Sequence, residues 1–124
     1  MKKLMALVAV AMTVSLSSNA FAHGDKPKHG GFVQSASDLS FELVNKDGIA
    51  MIYVEDHGKS MSTAGASGKL TVLNGAEKSE LALVPSGDNA MSTKGDAKLV
   101  KGSKAIASIT FADKKAVNVR FSVK

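Results

Sequence analysis

The order of apolar and polar residues divides the chain into an apolar leader and a longer region of short alternating segments. The leader has Lys2 and Lys3, then thirteen mostly apolar residues at 4–16, and it ends at the triplet Ala20-Phe21-Ala22. The run is too short for a membrane span, which needs about 20 apolar residues. A basic start followed by a small-x-small triplet is typical of an export signal. We therefore predict a signal peptide over residues 1–22, cleaved after Ala22.

Downstream of residue 32, apolar residues recur with the period of two that is typical of half-buried strands. The segments 39–43 and 116–123 alternate cleanly between apolar and polar residues. The segment 49–54 is apolar on both faces, which predicts a central strand with Met51 in the core. Asp47-Gly48 between two such segments favours a tight hairpin turn. Further strands are predicted from 32 onward and at 69–73, 81–84, 97–100 and 105–111.

These segments predict an all-β domain over residues 32–124. Short strands at a spacing of about 8–12 residues, with turn residues between them, are typical of a β-sandwich. We expect one immunoglobulin-like sandwich of about seven short antiparallel strands. The preceding residues 23–31 are rich in His, Gly and Lys and contain a proline. They are predicted to form a flexible amino-terminal segment.

Composition narrows the function classes. The chain has no cysteine, so disulfides and thiolate metal sites are excluded. Acidic and basic residues are interspersed despite the net charge of +5, and no basic stripe carries interleaved aromatics. We therefore expect no nucleic-acid partner. No second long apolar run follows the leader, so we expect a periplasmic protein with no membrane insertion after cleavage.

Cleavage after Ala22 would make His23 the first residue of the exported chain. A free α-amine has a pKa near 7.7–8.0, so an appreciable fraction is neutral and able to bind a metal. The amine and the imidazole of a terminal His can close one chelate ring, and imidazole suits copper, zinc and nickel. The alternative is that His23 merely follows the cleavage site.

Four other residues complete the candidate ligand set. His29 precedes two glycines, and His57 lies in Asp56-His57-Gly58. Each imidazole could bind a metal or simply occupy a turn. Met61 and Met91 could supply thioethers, which suit Cu(I), or could fill gaps at the ends of the domain.

Catalysis is not expected. The sequence contains no G-x-S-x-G nucleophile motif, and the Gly-rich stretch at 65–69 lacks the spacing of a phosphate-binding loop. We therefore predict a protein that is not an enzyme.

Several short sequence motifs resemble those of a known family. They are His29-Gly30-Gly31, Phe41-Glu42-Leu43-Val44, Ile52-Tyr53-Val54, Asp56-His57-Gly58, the stretch from Ala64 to Leu70, and Val119-Arg120-Phe121. Together they resemble small periplasmic β-domains associated with heavy-metal efflux, similar to the amino-terminal domain of efflux-pump periplasmic adaptor subunits. The resemblance implies a β-sandwich, a periplasmic setting and a role near metal export.

The sequence therefore favours a periplasmic metal-binding accessory or carrier protein linked to heavy-metal efflux or resistance. A copper ion is the first candidate ligand, and efflux-pump components are the candidate partners. His23, His29, His57, Met61 and Met91 form the candidate metal-binding set. The alternative is an envelope protein-interaction module with no metal of its own, which would dock partners by strand addition at an exposed sheet edge.

Overall fold

The computed structural model describes residues 26–124, which are all-β with nine strands and connecting turns. The predicted signal peptide and His23 lie outside these residues. The strands are β1 (Phe32–Ala36), β2 (Leu39–Lys46), β3 (Ile49–Asp56), β4 (Lys59–Ser60), β5 (Ser67–Asn74), β6 (Glu77–Pro85), β7 (Ala90–Asp96), β8 (Lys104–Thr110) and β9 (Ala116–Ser122). No helix within this region is long and apolar enough to cross a membrane.

All strand pairs are antiparallel and belong to one hydrogen-bonded sheet, in the order β1-β2-β3-β7-β6-β5-β8-β9, with β4 paired to β3. The two end strands, β1 and β9, approach each other and nearly close the sheet into a barrel. The all-β antiparallel prediction is confirmed. The seven-stranded sandwich is not confirmed, since nine strands share one continuous sheet.

Tight turns explain where the first strands reverse. Asp47 and Gly48 both have positive φ, 53° and 88°, and His57 and Gly58 repeat this at 53° and 85°. Two consecutive residues of positive φ form a type I′ turn, whose twist matches that of the flanking strands. The predicted hairpin at Asp47-Gly48 is confirmed, and His57 is shown to lie in a turn.

The core fills the inside of the curved sheet with residues that alternate along each strand. The predicted alternation is confirmed in β2 and in β9, where Val117, Val119 and Phe121 are buried. In β3 the core residues are Ala50, Ile52 and Val54. The prediction that Met51 lies in the core is therefore wrong: it is half-buried on the outer face, opposite Val44 of β2.

A loop at residues 97–103 covers one end of the barrel. Ala97 and Leu99 are buried in the core cluster, so they close that end as apolar plugs. The strand predicted at 97–100 is wrong, because these residues form the loop and the strand lies just before it, in β7. Ala97, Leu99 and Ser103 are buried, whereas residues 98, 100, 101 and 102 are exposed.

Candidate functional site

The site is built where the segment 26–31 crosses the outer face of β2 and β3. On this face Glu42 of β2 lies opposite Tyr53 of β3. Gly31 packs so closely on β2 that a Cβ there would stand 2.8 Å from Val44 Cγ2 and would also strike the carbonyl oxygen of Leu43. Glycine is therefore required at residue 31 for the segment to lie flat against the sheet.

Glu42 anchors this segment. Its Oε1 accepts hydrogen bonds from the Lys28 backbone N–H at 3.1 Å and the His29 ring Nδ1 at 3.0 Å. Its Oε2 accepts the backbone N–H groups of His29 and Gly31, each at 2.8 Å. The residue is only 7% exposed although it faces outward, because the segment covers it. A single carboxylate thus holds residues 28–31 through four hydrogen bonds.

The electrostatics of Glu42 favour its ionised form. Burial acts to raise the pKa of its carboxyl, but the hydrogen bond from the His29 ring and those from the backbone of Gly31, His29 and Lys28 act in the opposite direction. The net result is a pKa below the ordinary value of 4.5. Glu42 is therefore a carboxylate at neutral pH and can only accept hydrogen bonds.

The orientation of the His29 ring is fixed by two contacts. Its Nδ1 lies against Glu42, and its plane stacks on Tyr53 with 3.7 Å between ring centroids and 5° between the planes. Because the carboxylate cannot donate, Nδ1 must carry the hydrogen, so the neutral ring keeps its lone pair on Nε2. None of the atoms of residues 26–124 hydrogen-bonds Nε2. The His29 side chain as a whole is 38% exposed.

A second contact ties the segment to β3. The Lys28 ammonium group forms an ion pair with Glu55 Oε2 at 2.8 Å. Half of the Lys28 side chain remains in solvent while Glu55 is mostly covered, so we expect this pair to contribute less to holding the segment than Glu42 does.

His57 occupies the β3–β4 turn and is far more open. Its Nδ1 lies 2.6 Å from Asp56 Oδ1, and its side chain is 81% exposed. Because a carboxylate can only accept, the His57 Nδ1 carries the hydrogen, and the lone pair of the neutral ring is on Nε2. Four residues of extended chain separate His57 from Tyr53, or about 13 Å at the rise of a strand. Within residues 26–124, no hydrogen bond or ring contact joins the imidazoles of His57 and His29.

The two methionines of the candidate set are placed in apolar surroundings. Met91 is fully buried in the core, opposite Ile52 of β3. Met61 is partly buried against the same core. Within residues 26–124, neither methionine hydrogen-bonds His29 or His57. The sequence leaves gap filling at the ends of the domain as the alternative for both methionines, and this alternative stays a prediction.

Among residues 26–124, no group of three or more His, Cys, Asp or Glu side chains is placed to hold a metal ion. The site thus supplies one well-oriented imidazole, His29. Sequence reasoning missed Glu42 and Tyr53, which orient that imidazole. In the sequence, Glu42 and Tyr53 look like ordinary strand residues. Only the segment that covers them in the structure marks them as part of a site.

Comparisons with protein-family models, with curated proteins and with solved structures give no match to this chain. The resemblance to efflux-associated domains therefore rests on the short sequence motifs alone.

Proposed function

We propose that this chain is a periplasmic metal-binding accessory or carrier protein linked to heavy-metal efflux or resistance, with copper as its first candidate ion. The observation that supports the proposal is the His29 ring, which Glu42 holds through Nδ1 so that Nε2 is free. Histidines that bind metals usually donate the other ring N–H to a carboxylate or carbonyl, which fixes the tautomer and raises the basicity of the ligand.

The remaining ligands of this centre are assigned from the sequence. His23 stands six residues before His29. An extended chain spans about 3.3–3.6 Å per residue. The six residues are therefore long enough for the α-amine and ring of a processed amino terminus to reach a metal ion bound at Nε2 of His29. Three nitrogen donors of this kind suit Cu(II). His57 lies outside this centre in the proposal, and Met61 and Met91 have structural roles.

Strand addition, on which the alternative interaction module depends, has little support. The edge strands β1 and β9 approach each other, so the gap between the two sheet edges is narrow. A partner strand would need about 4.8 Å of space beside each edge that it joins. The metal-binding proposal is therefore preferred.

Isothermal titration of the processed protein with Cu(II), Cu(I) and Zn(II) tests the proposal. We expect at least one ion to bind more tightly than about 10 μM, or about 7 kcal/mol. His29→Ala should abolish that binding, whereas His57→Ala, which removes an imidazole held by a carboxylate in the same way, should leave it within a few fold. Failure of all three ions to bind, or equal binding by His29→Ala, would exclude the proposal.

A further inference from the structure

The two ends of the barrel differ in charge. The end that carries the loop at 97–103 has five lysines against three carboxylates: Lys46, Lys78, Lys98, Lys101 and Lys104 against Asp47, Glu77 and Asp96. The opposite end has a small excess of carboxylates. Its charged residues are Asp38, Glu55, Asp56, Asp88 and Asp113 with Lys59, Lys114, Lys115 and Lys28, and Lys28 is paired with Glu55. The first group is called the basic end below.

The loop at 97–103 is held firmly across the basic end. The Asn45 side chain donates to the Leu99 carbonyl at 3.4 Å, and the Asn74 side chain donates to the Lys98 carbonyl at 3.2 Å. The Ala97 N–H donates to the Gly48 carbonyl, and the Gly102 N–H to the Val123 carbonyl, each at 2.8 Å. The loop is therefore fixed to two hairpin turns and to the chain after β9, and its outward side chains have a defined position.

Val100 projects from this loop into solvent. It is 56% exposed and is the one large hydrophobic residue of the described region with a mostly exposed surface. Leu99 and Ala97 already close the barrel, so the core does not need Val100. Lys98 and Lys101 flank it, and both are exposed without an ion-pair partner in residues 26–124. Of the five lysines, Lys78 alone has such a partner, Glu80 at 3.7 Å.

We propose that the basic end docks this protein on an anionic lipid surface, with Val100 at the headgroup boundary and Lys98 and Lys101 against the lipid headgroups. An exposed apolar residue between lysines, on a loop held by hydrogen bonds, matches a membrane surface, where apolar contact and attraction to anionic headgroups act together. The acidic end would then face away, because its carboxylates are repelled by the same surface. The contact is peripheral and inserts no segment across the bilayer.

Co-sedimentation with lipid vesicles tests this assignment on the chain from His23 onward, which contains all nine strands and the whole core cluster. We expect binding to phosphatidylcholine vesicles that contain phosphatidylglycerol, loss of binding at high salt, and no binding to pure phosphatidylcholine. Each lysine near such a surface contributes about fivefold in affinity. The double variant K98E/K101E should therefore bind at least about 25-fold more weakly, and Val100→Ser should also weaken binding.

The matched control is K114E/K115E, which makes the same charge change at the acidic end and should leave vesicle binding within about twofold. Equal losses in both double variants would overturn the proposal, because they would show a response to net charge alone. Absence of wild-type binding to the anionic vesicles would also overturn it. Tight binding to soluble polyglutamate without vesicle binding would assign the basic end to an acidic protein instead.

Discussion

Replacing Glu42 with glutamine tests how residues 28–31 are held on the sheet. The amide keeps the size of the side chain but removes its charge and leaves a single oxygen. That oxygen can face only one of the two donor pairs that Glu42 now accepts, and the amide NH₂ group then meets the other pair donor to donor. We expect the segment 28–31 to leave the sheet.

The magnitude follows from the contacts. Hydrogen bonds to a charged group contribute about 1.5–3 kcal/mol each, so the four bonds to Glu42 together contribute about 6–12 kcal/mol. Ordering residues 28–31 costs about 1–2 kcal/mol for each residue. The midpoints of these ranges, about 9 and about 6 kcal/mol, differ by about 3 kcal/mol in favour of the docked segment. The loss cannot exceed this, because a released segment and residue 42 would both be solvated.

Hydrogen exchange and urea unfolding measure the effect. In Glu42→Gln, the amides of residues 28, 29 and 31 should lose protection, and the free energy of unfolding should fall by about 2–4 kcal/mol. Glu80→Gln is the control, since Glu80 is half exposed and its lysine contacts are 3.6 and 3.7 Å long. It should change stability by less than about 0.5 kcal/mol. Retained protection and a similarly small change in Glu42→Gln would refute the argument.

Three further predictions concern acid pH, glycine and methionine. Because the folded-state pKa of Glu42 lies below 4.5, its stabilising contribution is complete above that value and is lost as pH falls through the folded-state pKa. Emission from Tyr53, the sole tyrosine in a chain without tryptophan, should therefore change on acidification in the wild type and not in Glu42→Gln. Gly31→Ala should expose the amides of residues 28 and 29 to exchange, whereas Gly95→Ala should not, since a Cβ at residue 95 meets open space and its φ is not in the left-handed region; equal effects would contradict the packing argument. Met91→Leu should leave metal affinity unchanged while Met91→Ala lowers stability by about 2–5 kcal/mol, measured by titration and urea unfolding, and a loss of affinity in Met91→Leu would restore the thioether as a ligand.

Local patterns were sufficient to predict much of the sheet. Alternation in β2 and β9 depends only on which face meets the core, and the turn at Asp47-Gly48 depends on two residues that accept positive φ. The core-facing side of β3 was predicted wrongly, because β3 lacks the alternation of apolar and polar residues that β2 has. Both of its faces are apolar, so the sequence could not indicate that Met51 faces outward.

The arrangement around His29 could not be predicted, because it depends on a contact between distant residues. Glu42 lies in an alternating strand where a glutamate is expected to face solvent, and it becomes buried only when residues 28–31 cross over it. His29 was identified as a candidate from its residue type. Its tautomer follows from Glu42, thirteen residues further along the chain.

The central claim is that His29 binds metal through Nε2 while Glu42 holds Nδ1. Long-range proton–nitrogen NMR of the processed protein, before and after addition of Zn(II) or Cu(I), reports both ring nitrogens of each histidine directly. The account predicts a hydrogen on Nδ1 and a lone pair on Nε2 of His29 in the free protein, with metal shifting the His29 Nε2 resonance. A His29 ring that carries its hydrogen on Nε2, or one whose nitrogens do not respond while metal binds elsewhere, would contradict it.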